Sequence, residues 1–313
     1  MISYILRRLA ATVPVLFTVA VMVFLMLRLT PGDPAAIIAG DNATTQQILD
    51  IRTKLGLEQP ILQQFFIWLG GLMRGDLGES FFFRKTVFEL ISERIEPTLS
   101  LAFLTIVLAV AVAIPLGVLA AYRQGTWIDR VVMGFSVIGF SVPVFVIGYL
   151  LVYIFAIQLG WFPVQGYQRI GNGLGPWFRS LVLPAVTLSV IYIALIARMT
   201  RTSVLEVLSE DYIRTARAKG QTEMKVLFQH ALKNAAVPIV TVVGIGVALL
   251  IGGVVVTESV YSIPGLGRLT VDAVLARDFP VIQAIILAFS FVYVMINLLV
   301  DLSYTIFDPR IRY

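Results

Sequence analysis

The sequence predicts an all-α, polytopic membrane protein with six transmembrane helices and both termini in the cytoplasm. Three observations carry this. Of 313 residues, 58% are hydrophobic and only 14% are charged, where an ordinary soluble chain carries about 25% charged residues. Six apolar stretches approach the roughly 20 residues that a bilayer crossing needs. Their apolar character is continuous over helical lengths, which excludes a β-barrel of shorter, alternating strands.

The six stretches are 9–29, 99–122, 131–159, 181–197, 236–257 and 281–302. The first follows Arg7 and Arg8, as in a signal peptide. It exceeds the about 7–15 residues of an h-region, so it reads as a retained span. The third is free of charge from Val131 to Gln168, and the fourth is shortened by Pro184 and Arg198 at its ends. Pro14, Pro115 and Pro143 fall inside spans, where they predict kinks.

Orientation follows from the basic residues near span ends. One side collects Arg7, Arg8, Arg123, Arg130, Arg198, Arg201, Arg214, Arg217, Lys219, Lys225, Lys233, Arg310 and Arg312. The other has Arg169 and Arg179 in one loop, and Arg268 and Arg277 balanced by Asp272 and Asp278 in another. The first side is therefore cytoplasmic. The net charge of +5 reflects this asymmetry and is no nucleic-acid footprint. With no cysteine and one histidine, His230, the chain offers no disulfide and no thiolate or multi-histidine metal site.

The chain divides into a first span (1–29), an external helical insert (30–98) and a five-helix core (99–313) that contains a cytoplasmic segment at 206–237. In the insert, Thr45 can cap a helix with Ile48, Ile51 and Leu55 on one face and Gly56 as its left-handed stop. Pro60 suits a first turn, after which Ile61, Phe65, Trp68, Leu69 and Leu72 recur at helical spacing. Thr86 to Glu89 form a capping box that opens a third helix through Leu90 and Ile91. The insert reads equally as a structural cap and as a docking platform for an external protein.

The residues at 209–238, SEDYIRTARAKGQTEMKVLFQHALKNAAVP, are the most informative. Ser209 suits an N-cap, and Glu210 and Asp211 occupy a first turn where the helix dipole favours anions. Arg217 and Lys219 fall in the last turn, and Gly220 suits the left-handed C′ position. Thr222 then caps a second helix with Met224, Leu227, Phe228, Ala231 and Leu232 on one face. Basic amphipathic helices bind either lipid headgroups or protein partners, and composition leaves both open.

The segment resembles the EAA loop of bacterial ABC-importer permeases in its dipeptide/oligopeptide/nickel version. The resemblance rests on Asp211, Tyr212, Arg214, Thr215, Ala216, Arg217, Ala218, Lys219 and Gly220, then His230, Lys233, Asn234, Ala235 and Pro238. Further motifs extend it over the whole chain: Leu29-Thr30-Pro31-Gly32-Asp33-Pro34, Gly75-Asp76-Leu77-Gly78, Pro264-Gly265-Leu266-Gly267-Arg268 and Asp308-Pro309-Arg310. Against the general EAA consensus, Arg214 replaces the glutamate, Thr215 the first alanine and Lys233 the proline, so no contact of that glutamate carries over.

The resemblance implies a type I ABC-importer permease fold in the bacterial cytoplasmic (inner) membrane. It implies a non-enzymatic subunit that moves dipeptides, oligopeptides or glutathione-like solutes, with nickel complexes as the alternative cargo. Implied partners are a homologous second permease, two ATPase subunits and an external binding protein. The chain has no Gly-x-x-x-x-Gly-Lys-Ser/Thr loop to cradle phosphates, so ATP and Mg belong to the partners and this chain binds no cofactor. The implied ATPase-coupling residues are Asp211, Tyr212, Arg214, Thr215, Ala216, Arg217, Lys219 and Gly220. Ala216 and Ala218 would allow close approach, and the cations would set register. Trp68, Asp76, Glu258, Pro264 and Gly265 are the candidates for binding-protein docking or an external gate.

Other function classes fit the residues less well. A stand-alone channel or secondary transporter would show internal repeats or charged, interrupted helices at the midplane. An intramembrane hydrolase would need a buried base beside a nucleophile, and His230 lies in the cytoplasmic segment, where it reads as a helix-surface residue. Asp301, one turn after Asn297, is shallow enough to read as structural. Gly171-Asn172-Gly173-Leu174-Gly175 reads as a flexible turn and not as a nucleotide loop.

Overall fold

The structure is a computed structural model that describes residues 2–29, 33–40, 43–54 and 56–307. Thr30, Pro31, Gly32, Leu55, Asp308, Pro309, Arg310 and Arg312, used above, lie outside the described residues. In chain order the helices are α1 (Ile2–Leu29), α2 (Pro34–Ala39), α3 (Thr45–Lys54), α4 (Ile61–Met73), α5 (Val87–Tyr122), α6 (Trp127–Ser141) and α7 (Val144–Leu151). They continue as α8 (Leu174–Leu208), α9 (Asp211–Ala218), α10 (Glu223–Lys225), α11 (Ala236–Val260), α12 (Leu266–Leu275) and α13 (Phe279–Phe307). Two π-helical stretches, Val152–Gln158 and Val226–Leu232, extend α7 and α10. Helices α1, α5, α8, α11 and α13 are each long and apolar enough to cross a membrane, and α6 with α7 and its π-helical extension is a bent apolar pair that adds a sixth if the two halves form one span.

The third apolar run is not one straight helix. Its two halves meet at 104°. Proline disfavours helical geometry in the residue before it. Val142 accordingly sits at φ −90°, ψ 124°, and Pro143 then opens α7. By contrast, Pro14, Pro97, Pro115 and Pro184 lie inside continuous helices. The fourth run, shortest in the sequence, belongs to the 35-residue α8.

The chain falls into two units, residues 1–96 with 268–294 and residues 97–267 with 295–313. In the first, α1 and α4 meet through aromatic rings. Phe65 lies edge-on to Phe24 at 5.2 Å and to Phe17 at 5.9 Å, and Trp68 is 5.6 Å from Phe24. Gln283 donates to the Val23 carbonyl at 2.9 Å. Buried Asp278 accepts from the Ser80 hydroxyl and the Phe82 amide, which ties the 80–82 turn to the start of α13.

The insert helices differ in detail from expectation. Helix α3 is capped by Thr44, not Thr45: the Thr44 amide donates to Gln47 Oε1 at 2.8 Å while Thr44 Oγ1 accepts from the Gln47 amide at 3.3 Å. Gly56 takes φ +63°, as its stop position requires. Thr86 Oγ1 accepts the Glu89 amide as predicted, but the helix it opens runs on through 98 to Tyr122. The charged residues Glu89, Glu93, Arg94 and Glu96 give the first turns a polar surface without breaking the helix, which is why they read as a separate element.

In the second unit α8 is the hub, packed against α6, α7 and α11. Small residues permit this, as is usual between membrane helices. A Cβ on Gly117 of α5 would come 2.6 Å from the Ala197 carbonyl, and one on Gly253 of α11 would come 2.7 Å from Leu188 Cδ1. Buried polar side chains close on one another: Thr187 and Tyr261 share a hydrogen bond of 2.7 Å, and Tyr261 also reaches the Gly148 carbonyl.

Candidate functional site

The cytoplasmic segment folds as a knob at the end of α8. Ser209 does not cap α9. It closes α8 in a helical conformation, its hydroxyl donating to the Glu206 carbonyl at 2.6 Å. Extended Glu210 then precedes α9, which places Asp211 in the electropositive first turn. At the far end, Gly220 takes φ +75°, its amide donates to Arg217 O at 2.9 Å and the Gln221 amide donates to Ala216 O at 3.3 Å. This is a Schellman closure. Arg217 spans the turn: Nε and Nη2 donate to Glu223 Oε1 and Oε2 at 2.9 and 3.2 Å.

The knob has its own small core. Ile213 (0% exposed), Ala216 and Val226 pack with Val207 and Leu208 of α8. Ala216 therefore faces inward, and its expected role as a point of close partner approach is corrected. Arg217 is likewise engaged within the segment. The outward side chains are Asp211, Tyr212, Arg214, Thr215, Ala218 and Lys219. Desolvation raises the Tyr212 phenol above the ordinary tyrosine range and the Glu210 carboxylate adds to this, so it stays protonated at neutral pH.

After Gly220 the predicted stripe is only partly buried. Leu227 and Ala231 face inward as expected, joined by Val226 and Ala235, while Met224 and Phe228 are 64% and 50% exposed. The π-helical stretch, with its i→i+5 bonds, fits the five-residue step between buried Val226 and Ala231 and leaves Phe228 off the inward face; Met224 precedes it. His230 is half-buried, not a surface residue, and its Nε2 is enclosed.

On the external side of the second unit, Glu258 has no exposed surface. It offers nothing to a docking protein, and that part of its expected role is corrected. Thr98 Oγ1 donates to Glu258 Oε1 at 2.6 Å and accepts the Leu266 amide at 2.8 Å, while Glu258 O accepts the Ile263 amide at 2.8 Å. The carboxylate thus organises the 263–267 loop from beneath. Gly265 is buried against it, and Pro264 is exposed at the loop tip. In the first unit, Asp76 Oδ1 accepts the Gly78 amide at 2.9 Å in an exposed turn, and Trp68 is packed on Phe24. Residue spacing gave no signal for the Glu258–Thr98 link, whose partners are 160 residues apart.

Long apolar helices, with a folded knob at the end of α8, define a polytopic membrane protein. The family follows directly. Residues 113–313 match the family described as "Binding-protein-dependent transport system inner membrane component", and residues 1–102 match its companion N-terminal component. The chain belongs to this family.

Full-length relatives agree. A probable peptide ABC transporter permease of Sinorhizobium fredii is 58% identical over 310 residues, 99% of each chain. A putative peptide transport system permease of Brucella abortus is 48% identical, and the glutathione transport system permease of Escherichia coli K12 is 44% identical, each over all of both chains. The fold is that of the membrane subunit in the inward-facing MetNI methionine ABC transporter. That match has a TM-score of 0.59 at 20% identity and covers 71% of this chain and 97% of the other.

Proposed function

We propose that this chain is the peptide-moving permease of an ATP-driven importer, in which segment 206–237 transmits ATPase closure to the transmembrane helices. One observation carries the reading. The knob is rigidly closed at Gly220, stapled by Arg217 to Glu223 and keyed into Val207 and Leu208, yet it leaves Tyr212, Arg214, Met224 and Phe228 facing out. A stiff projection with an exposed aromatic, apolar and cationic face suits a groove on another protein. Force applied there would reach α8 directly, since Val207 and Leu208 are its last residues.

The relatives' names support a peptide or glutathione-like cargo, passed between this chain and a homologous second permease. Two ATPase subunits holding ATP and Mg would engage the cytoplasmic knobs, and an external binding protein would deliver substrate. The working division is a first span (1–29), an insert (30–98) and a core (99–313). Exposed Asp76 and Pro264 are the external docking candidates, while Glu258 and Gly265 shape the loop that carries Pro264. Uptake of labelled peptides, glutathione and nickel into vesicles holding the reconstituted complex tests this. ATP-dependent peptide or glutathione uptake supports it. Uptake by this chain alone without ATP, or uptake of nickel only, rejects it.

A further inference from the structure

Helix α4 stands apart in the insert. From Phe65 to Met73 it reads FFIWLGGLM, without one polar side chain. One face is covered: Phe65 and Trp68 pack on Phe24 of α1, and Phe65 reaches Phe17. The opposite face is not. Leu62, Phe66, Ile67 and Met73 are between 61% and 83% exposed. Helix α3, a few residues earlier, is by contrast polar along most of its length, TQQILDIRTK. A helix that is apolar nearly all round belongs in a core or in a membrane.

The contacts with α1 give the position of α4 along that span. Phe24 lies five residues before Leu29, the last residue of the first span, which is roughly 8 Å along the axis, and Phe17 is roughly 18 Å down. Helices that lie in the membrane interface bury their apolar face about 5–10 Å deep. A cluster of polar groups lies at the start of α4. Gln64, in the first turn, donates to the carbonyls of Leu57 and Gln59 and accepts from Arg28 Nε at 3.2 Å. Together with Asp33, Arg52 and Glu58 they line a charged cleft of about 440 Å³. The helix is thus polar at both ends, with Arg74 closing its C-terminus, and apolar between, the pattern of a helix lying along a headgroup-to-acyl boundary.

We infer that α4 is an interfacial helix embedded in the outer leaflet, with Leu62, Phe66, Ile67 and Met73 against lipid acyl chains and its first turn at headgroup level. On α1, Phe17 and Met22 are likewise exposed on a membrane-spanning helix. Trp68 then lies on the membrane side of the insert, away from any water-borne binding protein.

The chain has no cysteine, so single cysteines introduced as Leu62→Cys, Phe66→Cys and Met73→Cys can each carry one spin label. The measurement uses the assembled transporter in phospholipid vesicles, with cysteines removed from the other subunits. Oxygen should relax the label several-fold more strongly than a water-soluble nickel chelate, as at a Met22→Cys reference. Strong relaxation by the chelate would place α4 in water, and weak relaxation by both would place it under protein; either overturns the inference. The unsubstituted transporter gives an independent reading. A phospholipid with a diazirine high on its acyl chain should label residues 61–73 and spare 45–54, and labelling that misses 61–73 overturns the inference as well.

Discussion

Asp129 and Arg201 face one another as a bidentate pair, Nε to Oδ1 at 2.5 Å and Nη2 to Oδ2 at 2.8 Å. The pair joins the first turn of α6 to α8, two turns before α8 ends at the knob. Asp129 also accepts the Gly125 amide at 3.0 Å, so one carboxylate fixes both the start of the broken span and its attachment to α8. Only 7% of the Asp129 side chain is exposed, against 22% of Arg201.

Removing one partner strands the other. Asp129→Leu should destabilise the solubilised transporter by up to the roughly 3–5 kcal/mol seen when buried pairs are broken, with less where Arg201 can still reach solvent. Replacing both, Asp129→Leu with Arg201→Met, should recover most of that loss, because no unpaired charge is left. Thermal unfolding of the two variants measures this. A double variant no more stable than Asp129→Leu would show that the pair acts through something other than charge.

At the outer end of α11, the Glu258 carboxylate occupies the volume that a Cβ on Gly265 would need, and a Cβ on Gly267 would fall 2.6 Å from Val255 Cα. Gly265→Ala should therefore push the 263–267 loop off its seat, at the roughly 1–3 kcal/mol typical of overpacking. Adding Glu258→Ala should restore thermal stability by making room. It should not restore uptake if the carboxylate is what holds the loop. Recovery of uptake as well would show that the carboxylate does not hold the loop, and recovery of neither would show that the Gly265→Ala defect is not a clash with Glu258.

Much of this was legible in the sequence where the cause is local. Gly56 and Gly220 reveal themselves because a left-handed residue at a helix end is a one-residue requirement. The spans are visible because apolar length is a local sum. The failures have physical reasons too. Ser209 looks like a cap, but its hydroxyl has a closer acceptor in Glu206. Phe228 looks buried, but the π-helical stretch changes the period beneath it. Glu258 looks like a surface acid beside a loop, and only the chain's return past Thr98 shows that it is enclosed.

Gly220 has no neighbour within 4 Å of a would-be Cβ, so its constraint is purely conformational at φ +75°. Left-handed geometry costs an ordinary residue about 1–2 kcal/mol, more when it is β-branched, and asparagine least. Gly220→Val should abolish ATP-driven uptake while membrane insertion stays normal, and Gly220→Asn should keep most of it. The assay pairs uptake with a membrane-fraction blot. Wild-type uptake by the valine variant would rule out the turn as a coupling element.

The knob's inward and outward residues should fail in different ways. Tyr212, Met224 and Phe228 expose apolar surface that the fold does not use, so Phe228→Ala should leave the thermal stability of this chain nearly unchanged. If these residues sit in a partner groove, the same change should weaken ATPase capture about tenfold, the equivalent of roughly 1.4 kcal/mol. Ile213→Ala removes a fully buried side chain from a three-residue core. It should cost about 2–5 kcal/mol locally and loosen the knob as a whole. ATPase binding would then fall together with protection of 211–232 from hydrogen exchange. The decisive comparison is binding against protection in the two variants: loss of binding with protection intact for Phe228→Ala identifies a contact surface, whereas parallel loss in both would make Phe228 a structural residue.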